Sequence, residues 1–289
     1  MNNPSREATL PVFAMSSKPS ANITVQQWSP SSSTTAEDSV ITEAPIALTY
    51  NGISHVVMMA TPKDLHQFAL GFSLSEKIIN KPEELYGIEV TEKEDGIEVA
   101  MEISTEKFES LKERRRNLTG RTGCGLCGAE SLEQARLQIT EVGTSFQISH
   151  EAIQKAAASL QEQQPLQSLT GACHSAAWCD PNGAISEIYE DVGRHNALDK
   201  LIGALNHSQS WSKDAPGFLL ISSRASFEML QKSAVAGIGI VAAVSAPTSM
   251  AVEIAKEANI TLVGFTRPGR HVVYANEARL IAAEEQNSQ

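Results

Sequence analysis

The chain has 289 residues, 42% hydrophobic and 20% charged, with a formal net charge of −11. That size supports one large or two modest domains with a proper core. The negative charge argues against general nucleic-acid binding, because the whole-protein field repels phosphates. No apolar run reaches the ~18 residues of a membrane span, and the N-terminus lacks a secretory pattern. Four cysteines in a chain this long do not make a disulfide framework, so a reduced, cytoplasmic setting is expected.

Residues 1–38 are rich in Ser, Thr, Asn and Pro and are predicted to be a disordered leader. A small α+β domain is predicted over 39–118. Ile46–Tyr50 and His55–Met59 flank Asn51-Gly52, a hairpin signal. Thr61-Pro62-Lys63-Asp64 is predicted to open a helix that turns Leu65, Phe68, Ala69 and Phe72 to the core. A second hairpin, Ile88–Glu92 and Ile97–Ile103, surrounds Glu94-Asp95-Gly96. Lys107–Arg121 then holds six basic and two acidic residues. It reads either as a solvated helix face or as a patch that lowers the pKa of nearby thiols.

Residues 119–130 are predicted to be a mobile loop. Thr122-Gly123-Cys124-Gly125-Leu126-Cys127-Gly128 sets two thiols among glycines. Three readings stay open. A zinc knuckle needs four ligands, with Cys173, His174 and Cys179 as possible completions at a non-standard spacing. A thioredoxin-like dithiol usually follows a strand, whereas this pair follows a charged segment. A sulfur carrier needs a nucleophilic thiolate on a loop that visits donor and acceptor.

An α/β domain is predicted over 131–283, followed by a tail over 284–289. Ser131 and Ser149 are candidate caps of two helices, the second ending near Pro165. A hairpin surrounds Asp180–Gly183. From Gly193, amphipathic helices (Asn196–Leu205, Ser226–Ala236, Ser249–Glu257) alternate with short apolar strands (Phe218–Ser222, Ile238–Val244, Thr261–Phe265, His271–Tyr274). Such alternation predicts a largely parallel sheet covered on both faces. Ligands bind beyond the carboxyl ends of its strands. Polar turns fall there: Ser222-Ser223-Arg224, Ser245–Ser249 and Thr266–Arg270. Arg267 and Arg270 offer two guanidinium forks for a pyrophosphate. Arg194 suits a phosphate, or else simply pairs with Asp191. His174 suits a hydrogen bond to a ligand ring, or else is a structural histidine. Phe108, Trp178, Phe227 and Met229 read as core.

These stretches together resemble one family. Thr122–Glu130, Leu169–Trp178, Glu190–Lys200 (Glu-Asp-Val-Gly-Arg-His-Asn-Ala-Leu-Asp-Lys), Ser222–Lys232, Ala243–Val252 and Thr261–Arg270 are similar to the FdhD/NarQ family, the formate dehydrogenase accessory sulfurtransferases. The resemblance covers residues 38–280 and implies a three-layer α/β/α sandwich like that of cytidine deaminases. The deaminase zinc signature is absent, with Ala176 where its Glu would stand, so deamination is not expected, and the protein is expected to carry no metal of its own. The resemblance further implies that a cysteine desulfurase loads sulfur on Cys124 as a persulfide, with Cys127 assisting. The acceptor would be molybdenum cofactor, bis-molybdopterin guanine dinucleotide, as a bound substrate destined for formate dehydrogenase. By that resemblance Phe265, Thr266, Arg267, Pro268, Gly269 and Arg270 would hold it, and the reading of the turns adds Arg224, Ser245, His174 and Arg194. GDP would mimic part of it, and a homodimer would present two equivalent pockets. The rival reading is a non-catalytic cofactor-binding chaperone of formate dehydrogenase. In the family's Thr-Gly-Gly turn this chain has Ala172, which would be strained if the position requires positive φ.

Overall fold

The computed structural model describes residues 17–119, 141–143, 146–207 and 215–282. β1 (Ser20–Ser29) and β2 (Ser32–Ile41) form an antiparallel hairpin. This corrects the expectation of a disordered leader for residues 20–38. Its polar residues pair directly across the strands: Ser39 donates to Asn22 at 2.9 Å, Thr24 to Glu37 at 2.7 Å and Gln26 to Thr35 at 2.6 Å. Such cross-strand pairs stabilise a ribbon that has little apolar surface to bury.

β3 (Ala44–Tyr50) and β4 (Ile53–Ala60) pair around Asn51 and Gly52, both at positive φ, as a primed hairpin turn requires. Helix α1 (Leu65–Ser75) begins later than the Thr61-Pro62 signal suggests, after Asp64 in a left-handed conformation. Thr61 does not cap it, because its backbone N–H and hydroxyl bond Asp191 and Val192 instead. β5 (Leu85–Lys93) and β6 (Gly96–Ile103) complete a four-stranded sheet of order β4-β3-β6-β5. α2 (Thr105–Thr119) follows.

β7 (Ile148–Ser149) leads into α3 (His150–Ser159), whose cap Ser149 accepts from Ala152 N at 3.1 Å. Pro165 does not end this helix. It opens another, α4 (Pro165–Thr170), where the missing N–H costs nothing. The left-handed residue after α4 is Gly171, at φ 68, and Ala172 carries no such strain. There follow β8 (His174–Cys179), β9 (Ile185–Asp191), α5 (Arg194–His207), β10 (Phe218–Ile221), α6 (Phe227–Ala236), β11 (Ile240–Ala243), α7 (Ser249–Glu257), β12 (Thr261–Arg267), β13 (Arg270–Ala275) and β14 (Leu280–Ile281), the last pairing with β7.

The fold is mixed α/β. Its larger sheet has the order β13-β12-β11-β10-β8-β9. β10, β11 and β12 run parallel to one another, but β8 is antiparallel to β10 and β9, and β13 to β12, so three of the five pairings in the expected largely parallel sheet are antiparallel. Period-two alternation splits its side chains between two cores. Leu219, Ile221, Val241, Ala243 and Leu262 join a core with α1, α5, α6, α7 and the smaller sheet. Phe218, Leu220, Ile240, Ala242 and Val263 pack on α3. Trp178 and Met229 are buried and Phe108 and Phe227 pack against the first core, as expected. That core is continuous across the two sheets because α1 and α5 touch backbone to backbone. A Cβ on Gly71 would fall 1.7 Å from Asp199 O, and one on Gly203 would fall 1.9 Å from Gln67 O. Among the described residues, no helix is long and apolar enough to cross a membrane.

Candidate functional site

Strand directions decide which side chains meet. β10, β11 and β12 are parallel, so their carboxyl ends share one edge of the sheet. β8 and β13 run the opposite way and begin at that edge, and β9 ends there. The edge therefore collects His174, Arg194, Arg224, Ser245, and Phe265 through Arg270. Every described residue of the expected cofactor site lies on this one edge, although they span nearly a hundred positions of sequence.

The turns are tied to one another. Ser222 N donates to Ser175 O at 3.1 Å, and Ser175 N donates to Ser222 Oγ at 2.9 Å. Ala225 and Pro247 form a bridge, Thr248 N donates to Ala225 O at 3.0 Å, and Phe265 N donates to Ser245 O at 3.1 Å. Gly264 has no room for a Cβ, which would meet Pro247 at 2.8 Å and Tyr274 at 3.0 Å. Phe265 then takes φ 50 at a bulge between Gly264 and Arg267. Positive φ in a bulky residue costs about 1–3 kcal/mol and gathers at functional sites. The bulge leaves Arg267, Pro268, Gly269 and Arg270 exposed, and Arg224 is exposed beside them.

Several polar atoms here have no partner. Thr266 Oγ1, Arg194 Nε and Ser226 Oγ are buried without a hydrogen-bond partner among the described residues. An unsatisfied buried polar atom costs about 1–3 kcal/mol, so these atoms have hydrogen-bonding capacity to offer a ligand. Burial, then Arg194 and His195, hold the His174 imidazole below its ordinary pKa. Four arginines face one edge in a chain of net charge −11, so the edge is locally fit for an anion.

The motif Glu190–Lys200 divides in two. The expected alternative, Asp191 paired with Arg194, is replaced by a buried pair: Lys200 Nζ lies 2.6 Å from Asp191 Oδ2, both side chains fully buried. Lys200 also donates to Thr61 O and Glu190 O, and Asp191 accepts from Thr61 N, Gly193 N and Asn196. Thr61 Oγ1 accepts from Val192 N at 3.1 Å. Thr61 thus binds this network instead of capping α1. Glu190 is equally occupied, accepting from Leu166 N and Gln167 N at the start of α4. On the open side, His195 Nε2 sits 2.6 Å from Glu228 Oε2. Sequence reasoning assigned no role to this pair. The available signal was an acid in the first turn of the helix that follows a sheet-edge turn.

Cys124, Cys127, Thr122–Glu130 and Ser131 lie outside the described residues. The other two thiols are free and buried. Burial, with Glu190 nearby, pushes Cys173 up to about 12, and burial raises Cys179 strongly. They sit just before and at the far end of β8, roughly 20 Å apart at a strand's rise. A zinc set combining Cys173, His174 and Cys179 is therefore not formed, and no metal-holding group of three or more His, Cys, Asp or Glu exists among the described residues.

Comparison with known proteins follows the same lines. Residues 41–281 match the model of the FdhD/NarQ family. A sulfur carrier protein FdhD from Cupriavidus necator is 52% identical over 256 residues, 89% of this chain and 88% of that protein. The crystal structure of a protein described as a formate dehydrogenase accessory protein, from Desulfotalea psychrophila, superposes with a TM-score of 0.70. It covers 91% of this chain and 99% of that one, at 22% identity, a likeness of fold.

Proposed function

The chain belongs to the FdhD/NarQ family, and on that premise we propose that it is a sulfurtransferase that carries sulfur to molybdenum cofactor for formate dehydrogenase. The observation that supports this most is the arginine-bearing sheet edge with its unpartnered Thr266 and Arg194 atoms. It suits a large anion with ring systems, as bis-molybdopterin guanine dinucleotide is. In this reading Arg267 and Arg270 grip a pyrophosphate, Arg224 and Arg194 a second anionic group, and His174 a ring nitrogen or carbonyl. The layering, with helices on both sheet faces, suits the cytidine-deaminase-like sandwich that the resemblance implies.

The thiols supply the chemistry. Cys124 thiolate attacks the outer sulfur of a desulfurase persulfide. The S–S bond breaks, the desulfurase cysteine leaves as thiolate, and Cys124 carries the persulfide. Attack of Cys127 thiolate on the Cys124 sulfur then expels hydrosulfide and leaves a Cys124–Cys127 disulfide, which a thiol reductant must reopen. Cys173 and Cys179 take no part, being buried and protonated. A symmetric homodimer would offer equivalent pockets to the two guanine ends of the substrate.

Intact-mass measurement after incubation with a cysteine desulfurase and cysteine tests the transfer. A reducible gain of one sulfur is expected, and it should vanish in Cys124→Ala. If formate dehydrogenase matured with Cys124→Ala stays fully active, the protein is a chaperone and sulfur transfer is rejected. Calorimetry should show GDP binding at two sites per dimer, and its absence would reject the cofactor site.

A further inference from the structure

The sheet edge is rich in donors and poor in acceptors, and this sets a limit on how a ligand base can be read. Its turns, taken with the end of β9 and the first turn of α6, contain three carboxylates: Glu190, Asp191 and Glu228. Glu190 spends both oxygens on the first amides of α4 and lies 3.5 Å from the Cys173 thiol. Asp191 is enclosed by Thr61 N, Gly193 N, Asn196 and Lys200. Glu228 differs. It is partly exposed, its Oε2 meets His195 at 2.6 Å, and its Oε1 takes no hydrogen bond among the described residues.

Resting on the guanine-nucleotide reading above, we propose that Glu228 is the residue that selects guanine, held in position by His195. Guanine presents two adjacent donors, N1–H and the N2 amine. A carboxylate is the complementary acceptor. Adenine presents an unprotonated N1 there, which a carboxylate repels, and hypoxanthine lacks the N2 amine. The His195 hydrogen bond, with the charges of His195 and Arg194, outweighs the opposing effect of burial and leaves the Glu228 carboxyl below its usual range. It is therefore ionised at neutral pH, the state that accepts both donors. The groups facing it are His195, Arg194 and, one turn along α6, Lys232. The buried Ser226 Oγ, unpartnered two residues earlier, adds a further polar atom to the same turn.

Binding of GDP, IDP and ADP to the full chain, measured by calorimetry, tests this. Hydrogen bonds to a charged group are worth roughly 10–100-fold in affinity. The wild type should prefer GDP to IDP by about 10-fold and to ADP by more. Glu228→Gln should lose about 10–100-fold for GDP, less for IDP, which offers only the N1–H donor, and little for ADP, so that the preference collapses. Arg224→Ala should weaken all three equally and keep the preference. His195→Asn should weaken GDP selectively. If Glu228→Gln binds GDP with its preference intact, or loses all three nucleotides in proportion, Glu228 is not the selecting residue. If the wild type binds no guanine nucleotide, the reading of the edge itself fails, and the assignment of Glu228 falls with it.

Discussion

Within eleven residues of chain, Glu190 to Lys200, the protein uses charge in two opposed ways. Asp191 and Lys200 are fully buried, and every donor of the Lys200 ammonium has a partner: Thr61 O, Glu190 O and Asp191 Oδ2. A second network on the inner side of α5 repeats the device. Lys232 Nζ meets both Asp199 oxygens at 3.0 Å, Ser75 Oγ at 2.9 Å and Glu76 at 2.7 Å. These networks join the smaller sheet and α1 to α5 and α6. Arg194 and His195, from the same run, turn toward the open edge, where Arg194 Nε and Thr266 Oγ1 find no partner among the described residues. Charge that the chain satisfies itself is architecture; charge that it leaves unsatisfied is a place for something else. The contrast also warns against reading a motif as one unit, because this run mixes both kinds.

The largest test of that contrast is Lys200→Met. It leaves Asp191 buried without its cation, and breaking such a pair costs about 3–5 kcal/mol. Denaturant unfolding should show that loss, and Asp191→Asn added to Lys200→Met should recover part of it, since the stranded charge is gone. A cost below about 1 kcal/mol would place this pair with the ordinary surface bridges and erase the distinction.

The converse experiment removes edge charge. Arg267→Ala and Arg270→Ala truncate exposed side chains, and each should change stability by no more than about 0.5 kcal/mol. GDP affinity should nevertheless fall by about 10–100-fold for each, the worth of a charge-assisted contact. Lys200→Met, measured well below its unfolding temperature, should bind GDP almost normally. Large stability losses at the arginines would mean that they hold the fold.

How much of this was legible beforehand follows from the range of each interaction. Asn51-Gly52 and Asp180–Gly183 announce their hairpins because turn chemistry is local: Asp180 Oδ1 accepts from Asn182 N and Ala184 N within its own turn. The edge was legible because polar turns end apolar strands. The β1–β2 ribbon was not, because its order rests on cross-strand polar pairs such as Thr24–Glu37, thirteen residues apart. Thr61-Pro62 carries every local sign of a helix start, yet Thr61 is claimed by Asp191 and Val192 about 130 residues away. Likewise Arg194, nearer in sequence, was the obvious partner for Asp191, and only helix geometry brings Lys200 to it. The direction of β8 and β13 was also hidden, since apolar alternation reads the same in parallel and antiparallel strands.

The thiols extend the comparison. Cys173 is buried against Glu190, with its thiol pushed up to about 12. Cys173→Ser should leave persulfide loading unchanged and shift stability by about 1 kcal/mol or less. In native protein an alkylating reagent should spare Cys173 and Cys179 and modify Cys124 and Cys127 first. Fast labelling of Cys173 would return it to the candidates for sulfur chemistry.

The smallest effect is a pH dependence, and two histidines set it apart from simple burial. His174 and His271 are both held below the ordinary imidazole range, chiefly by burial. In the unfolded chain each takes up a proton near pH 6.5; in the native state protonation waits for lower pH. Between those points the unfolded state binds more protons, so stability falls as pH drops below about 6.5 and levels off beneath the native pKa. His271 is occupied by its own chain, with Nε2 2.8 Å from His150 Nδ1 and Nδ1 2.7 Å from Gln154. No hydrogen bond to the His174 imidazole is seen among the described residues, and its other depressing influences are Arg194 and His195. An anion bound at the edge would offset exactly those positive charges and leave the His150–His271 stack alone. GDP should therefore move the His174 titration upward, followed by NMR, while that of His271 stays in place. If both histidines shift together, or neither shifts while GDP binds, the anion does not sit where Arg194 and His174 converge.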